Sequence, residues 1–416
     1  MTGALTASGY TLVLAFHKTD TARGVAAASV KTRFSDPAVL FADLRTARAE
    51  GTVSAAYLRR AVGADAPITY PHLGITLGYA DAGALKRIRD HAAIATAYPA
   101  PLWQPIHPVR AAAATLSQTY TWGLKQLSIP KLWAAGLTGK GVVVGHLDTG
   151  VDGKHPTLKG RIEEFGEWDF LGRKKPKASP HDSGDHGTHT AATICGIGVN
   201  GRHVGVAPGA KLFSGLVIEG GNTTARILGG LDWLVGNRVR IVSLSLGYPG
   251  YDPVFLELIR RLLRRNILPV FAIGNEGPNT SRSPGNYPGT LAVGASDESK
   301  RTAEFSGSHQ FKRKRDPNKP NVVAPGVDVI SAAPGGGYQT MDGTSMATPH
   351  AAGVAALLLE ARPQATARQL MDALKKSAEP LTGEPPLRHG AGLIGPARAL
   401  ELLEARVKTS RPPAPV

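Results

Sequence analysis

The sequence predicts an α/β architecture with a mainly parallel central sheet flanked by helices, preceded by a small α+β domain of ferredoxin type. Three observations carry this expectation. From Gly141 onward, short continuous apolar runs alternate with helical patterns, which suits strands buried on both faces. Before residue 104, the order strand, helix, strand, helix, strand fits a small layered fold. Between the two regions, residues 104–120 are Pro/Ala-rich and then polar, and read as a linker. With 416 residues, 42% of them hydrophobic, and 49 glycines, the chain can form one large, turn-rich domain plus a smaller one.

The elements follow in order. Residues 10–17 form a strand-like run, and Asp36-Pro37 opens a helical pattern with Val39, Leu40 and Leu44 on one face. Residues 68–79 read as one extended stretch, and a helix starts at Asp81. Residues 94–103 return as a Pro-interrupted extended segment. The expected division is therefore a small domain over 1–103, a linker over 104–120, a large domain over 121–405 and a loose tail over 406–416. Strands of the large domain are expected at 142–147, 212–218, 241–246, 267–273 and 291–295. Asn222-Thr-Thr caps a helix reaching toward Val235. Asp252-Pro253 starts another, with Phe255, Ile259, Leu262 and Leu263 at helical spacing. The arginines of that helix and the run Lys312-Arg-Lys-Arg315 read as solvated faces. Further helices start at Thr366 and Pro396.

Composition limits the partners. A net charge of +16 favours anionic surfaces. Zinc-finger spacing, RNP-like aromatics and long basic helices are all missing, so nucleic acid is not an expected partner. One cysteine, Cys195, excludes an intramolecular disulfide and reads as a small buried residue. The first apolar run, Tyr10 to Phe16, is too short for a membrane span and lacks signal-peptide features. The expectation is a cytoplasmic protein without a membrane partner; release by a signal-independent route stays open.

Chemistry concentrates in three polar segments. Met341-Asp342-Gly343-Thr344-Ser345-Met346-Ala347-Thr348-Pro349-His350 runs into the apolar stretch Ala351–Leu359. That stretch reads as a buried helix with Ser345 at its N-terminus, where free backbone N–H groups favour developing negative charge. Pro349 is expected in the first turn. An isolated serine there would be an ordinary cap. The second segment, Val144-Gly-His-Leu-Asp148-Thr-Gly150, puts an aspartate at the C-terminal end of a strand, where sites form in open parallel sheets. The third is Asp185-His186-Gly187-Thr188-His189. A carboxylate to orient imidazole, an imidazole to take a hydroxyl proton, and a serine at a helix start make an acyl-transfer set.

These segments resemble the three active-site motifs of the subtilisin-like serine peptidases, the subtilases. The resemblance covers residues 117–405, and the chain order Asp, His, Ser is a known property of that family rather than a deduction from this chain. It implies a subtilisin-like three-layer fold and a serine endopeptidase acting on polypeptide substrates. Asp148 would orient, His186 would serve as general base and then acid, Ser345 would be the nucleophile, and His189 would be structural. Ala272-Ile-Gly-Asn275-Glu-Gly resembles the oxyanion-hole motif, with Asn275 and the Ser345 N–H as donors. Removing such a donor costs about 3–4 kcal/mol in the transition state, a magnitude measured within this same family. Ser245-Leu246-Gly247 resembles the strand that pairs with an extended peptide. By the same resemblance Gly274 is expected to bind substrate too, and Arg282 aligns with the floor of the pocket for the residue before the scissile bond. An arginine there either selects an acidic residue or bends outward to water.

The resemblance has departures. The family's best-known calcium site takes a carboxylate where this chain has Thr157, and an asparagine where it has Val199, so that site is expected to be missing; no metal ligand or cofactor is assigned, and calcium sites elsewhere stay open. The N-terminal domain resembles the inhibitory propeptide in its α+β pattern, which implies a cleft inhibitor later removed by self-cleavage between about residues 104 and 121. Both regions are basic, so docking would rest on strand pairing and apolar contact. Two rival readings keep the fold: a non-catalytic peptide-binding scaffold, or an esterase or ligase using the same triad.

Overall fold

In the computed structural model, residues 11–18, 67–101, 103–169, 172–219 and 223–410 are described, and the chain divides into two compact units. The first holds Met1–Trp103, Glu167–Pro176 and Val217–Arg238. Its sheet is antiparallel and four-stranded, in the order Ile68–Tyr70, Ile75–Ala80, Thr11–His17, Ile94–Pro99. Thr11–His17 takes an inner position because Val13, Leu14, Ala15 and Phe16 are all fully buried. The stretch expected as one strand over 68–79 is two, joined by a turn whose Gly74 has φ +65°, a conformation glycine adopts without steric cost. Asp81 caps the helix Ala82–Asp90 by accepting from Ala84 N at 2.6 Å. Ala84 and Ile88 then pack on Val13, Ala15, Ile94 and Ala97.

The helix Thr223–Gly236 belongs to this first unit, a correction to the expected division. Tyr70 donates its hydroxyl to Ala225 O at 3.0 Å, and Leu73 N donates to Asp232 Oδ1 at 2.8 Å. Sequence separation hides such pairing. The expected helix at Asp36 and the Asn222 cap lie outside the described residues.

The second unit is built on seven strands in the order Val322–Pro325, Leu291–Ser296, Leu268–Ala272, Ile241–Leu244, Val143–Asp148, Lys211–Leu216, Ile162–Glu167. The five ladders from Val322–Pro325 to Lys211–Leu216 are parallel. Every residue of Ile241–Leu244, Leu268–Ala272 and Leu291–Ser296 is buried, which is why their sequences run apolar without alternation. The helix Thr344–Ala361 packs against this sheet and is buried through Leu359. Helices Leu256–Arg264, Ala367–Lys376 and Pro396–Ser410 complete the unit's helical layers. Ala367–Lys376 opens with a capping box between Thr366 and Gln369. Cys195 is buried, with its thiol pushed up to about 12 by burial.

Three further expectations are corrected here. Residues 104–120 are not a loose linker: Gln104–Pro105 pairs with Leu246–Gly247, and Arg110–Ala114 pairs with Tyr338–Asp342, both antiparallel. The alanines gave no side-chain pattern because this strand is held by its backbone at a sheet edge. The last helix runs to Ser410, into the expected tail. Arg313 is not simply solvated; it lies over the Phe311 ring at 4.2 Å and donates to Asn286 O at 2.8 Å. Among the described residues no helix is long and apolar enough to cross a membrane.

Candidate active site

The site is assembled at three element ends of the second unit. Asp148 closes the strand Val143–Asp148, His186 opens the helix His186–Cys195, and Ser345 lies in the first turn of Thr344–Ala361. His186 Nδ1 donates to Asp148 Oδ1 at 2.7 Å, and Thr149 N donates to the same oxygen at 2.7 Å. Burial disfavours the imidazolium, but the Asp148 carboxylate overrides it and holds the His186 pKa above the ordinary histidine value. Burial likewise works against the Asp148 carboxylate, and the His186 pairing holds its pKa below the usual range. Asp182 supports this half by accepting from Thr149 Oγ1 at 2.7 Å and from Thr188 N at 2.7 Å. His189 plays a structural part, bonded through Nε2 to Val329 O at 2.9 Å, with burial lowering its pKa to about 3.

Ser345 is in place, but its hydroxyl is turned elsewhere. Oγ donates to Ile106 O at 2.9 Å, while His186 Nε2 is buried with no hydrogen-bond partner among the described residues. Pro349 sits in the second turn of the helix rather than the first, as the cap is Gly343. Lacking an N–H, it leaves the Ser345 carbonyl free of its helical partner. Ser245 Oγ donates to that carbonyl at 3.2 Å.

Asn275 stands across from the serine helix. Its Oδ1 accepts from Thr344 N at 2.9 Å and from Thr344 Oγ1 at 2.8 Å, which fixes the amide with Nδ2 outward. Nδ2 donates to His107 O at 2.9 Å. Gly274, at φ +115°, passes so close that a Cβ there would meet Arg282 Cγ at 3.0 Å. Arg282 does not stand alone: its side chain is 13% exposed and its Nε donates to Glu276 Oε1 at 2.8 Å. Its Nη1 also reaches Gly247 O at 3.3 Å. The pocket arginine thus carries a resident ion pair, which neither of the two expectations for Arg282 included.

Residues Gln104 to Ala114 run through this site as an extended peptide. Pro105 is opposite Leu246 and Gln104 opposite Gly247, which brings Ile106 level with Ser245. Val109 N donates to Asp342 O at 2.7 Å, and Arg110–Ala114 continues as a strand beside Tyr338–Asp342.

Sequence reading missed Thr344, Glu276, Thr149 and Asp182. Threonines beside Ser345 and beside Asp148 were the available signals; Asp182 depends on a contact 33 residues away, and no spacing announces the Glu276–Arg282 pair. Thr157, where a calcium carboxylate was missed, is buried and its hydroxyl bonds His155 Nδ1 at 2.8 Å.

A parallel sheet with an Asp–His pair at its strand ends, a serine at a buried helix start and an amide opposite is the site of a serine hydrolase. The subtilase family model matches residues 139–393. The chain is 35% identical to Subtilisin E of Bacillus subtilis (strain 168) over 285 residues, covering 67% of this chain and 70% of that protein. It is 36% identical to M-protease of Shouchella clausii (strain KSM-K16) over 286 residues, covering 68% and 70%. The same figures hold for an alkaline protease of Alkalihalobacillus alcalophilus. The chain belongs to the subtilase family, and its class is that of the serine endopeptidases.

Proposed function

We propose that this subtilase cleaves polypeptides through an acyl-enzyme on Ser345 and is made as a precursor whose own chain blocks the cleft. His186 takes the Ser345 proton and later returns it to the leaving amine, while Asp148 holds the imidazole in the Nδ1–H tautomer. Asn275 Nδ2 and the Ser345 N–H stabilise the oxyanion. The substrate lies extended against Ser245, Leu246 and Gly247, in the manner of an added strand. The carrying observation is the peptide already there: Gln104–Pro105 is strand-paired with Leu246–Gly247, and Ile106 O lies 2.9 Å from Ser345 Oγ.

The same segment explains how the precursor resists its own chemistry. The nucleophile faces the Ile106 carbonyl, whereas the oxyanion donor holds the His107 carbonyl. Hydrolysis needs both groups on one carbonyl. Self-cleavage therefore follows a shift that hands Ile106 O to Asn275, and the bond cut is Ile106–His107, inside the expected window of 104–121.

Intact mass measurement tests both parts. Wild-type protein should yield a fragment beginning at His107 and a Ser345-dependent fluorophosphonate adduct. The Ser345→Ala chain should stay full length and unlabelled. A fragment beginning near Ser117 would make the Ile106 segment a plug and not a substrate. Two intact chains would make the N-terminal region permanent, and an unlabelled wild type would favour the scaffold.

A further inference from the structure

Three polar side chains stand in the buried layer behind Asp148, in a sheet whose other buried positions there are mostly apolar, Ser243 beside His146 excepted. His146 lies two residues before Asp148 on one strand, so both side chains leave the same face. Ser214 is its partner in register on the adjacent strand. Thr190 follows His186 by one helical turn and shares its face. His146 and Thr190 are each 1% exposed, and Ser214 is fully buried. The groups form a chain: Ser214 Oγ to His146 Nδ1 at 3.0 Å, His146 Nε2 to Thr190 Oγ1 at 2.9 Å, Thr190 Oγ1 to Asp148 Oδ2 at 3.2 Å.

The direction of these bonds follows from charge and valence. Asp148 Oδ1 takes His186 and Thr149, so Thr190 supplies the hydroxyl donor to Oδ2. The carbonyls of His186 and Gly187 also lie within reach of that hydroxyl, at 3.1 and 3.2 Å. The bond to the ionised carboxylate is the stronger, because it is charge-assisted. A hydroxyl that donates to Asp148 must accept from His146, which requires the Nε2–H tautomer. The carboxylate favours that tautomer too: Oδ2 lies 3.9 Å from Nε2, where an N–H is attracted and a lone pair repelled. Nδ1 then accepts from Ser214. Burial keeps this imidazole neutral, lowering its pKa despite the nearby carboxylate. Every member is satisfied, and one orientation of the protons satisfies them all.

We infer that His146, acting through Thr190, is a positioning residue that fixes the rotation of the Asp148 carboxylate and so the aim of His186. The inference rests on the catalytic reading of Asp148. Apolar residues would fill the same volume without the desolvation cost that buried polar groups carry. The cluster has a further role only if it acts on the carboxylate.

The test uses full-length chain allowed to mature, a chromogenic peptide substrate, and fluorophosphonate titration to count working sites. Thr190→Val, which keeps shape and loses the donor, should lower kcat about tenfold with KM unchanged, as for other groups that orient a reactive ligand at one remove. Thr190→Ser should stay near wild type. His146→Val should fall by a similar factor, His146→Gln should recover part of it, and the double valine variant should be no worse than either single one. Unchanged kcat in folded Thr190→Val, or additive losses in the double variant, would overturn the inference. If His146→Val does not fold, the Thr190 Val/Ser pair decides alone. A wild type without Ser345 labelling removes the catalytic reading and this inference with it, whereas a labelled wild type with indifferent variants removes only the inference.

Discussion

The two halves of the site are built differently. The Asp148–His186 half is closed: its bond is 2.7 Å long, and both groups are buried and braced by Thr149, Asp182 and Thr190. The Ser345–Asn275 half is open to exchange. Its hydroxyl and its amide are both spent on the chain's own peptide, at Ile106 O and His107 O. The first half has no need of substrate to form, because its partners come from the strand end and helix start that the core holds fixed. The second half is bonded to the peptide that lies beside it, and both of its polar groups are held by backbone carbonyls of that segment.

The largest effect that bears on this contrast belongs to the open half. Asn275→Ala should lower kcat by about 10²–10³ with little change in KM, a magnitude known from the same donor position in subtilisin. It should also slow release of the fragment beginning at His107. A loss in kcat confined to a few-fold would place the oxyanion elsewhere, and the contrast would fail.

The closed half should show itself in the pH profile. His186 must be neutral to accept the Ser345 proton, and Asp148 stabilises its charged form, so its pKa lies above the ordinary 6.5. Activity should therefore fall with decreasing pH at a higher pH than a free imidazole would set. The kcat/KM profile of the matured enzyme reports this free-enzyme value. An acid limb at or below the ordinary value would mean that the pair opens once the peptide leaves.

The smallest effect concerns selectivity. The Glu276 carboxylate already occupies Arg282, so the wild type should show no preference for Asp or Glu before the scissile bond. Glu276→Gln leaves the guanidinium uncompensated and should raise that preference by roughly fivefold, in line with a partly exposed charge-assisted bond of about 1 kcal/mol. A peptide library compares the two. A wild type that already selects acidic residues would show that Arg282 leaves Glu276 when substrate enters.

Much of this molecule was legible from local pattern. Continuous apolar runs marked the strands to within a few residues, because a strand buried on both faces has no polar positions to disguise it. Asp148, His186 and Ser345 each stood at the end or start of such an element, and three motifs in order gave the family. Local signals failed where an element's environment came from far along the chain. Arg110–Ala114 is a run of mostly exposed alanines after one arginine, and the edge of Tyr338–Asp342, with the Arg110–Asp342 pair, makes it a strand. Glu276 and Arg282 lie six residues apart, yet nothing in that spacing announces an ion pair between a bend and a short strand.

The sequence by itself determined which residues are the candidates for the chemistry, since reactivity belongs to residue type and helix and strand ends follow from periodicity. The tertiary structure alone decided what state that chemistry is in. It set the Ser345 hydroxyl on Ile106 rather than His186, the Asn275 amide on His107, and Thr190 beneath Asp148. A hydrogen bond is settled by distances of a few tenths of an ångström between groups up to 239 residues apart. No local pattern in the chain encodes separations on that scale; packing of the whole core fixes them.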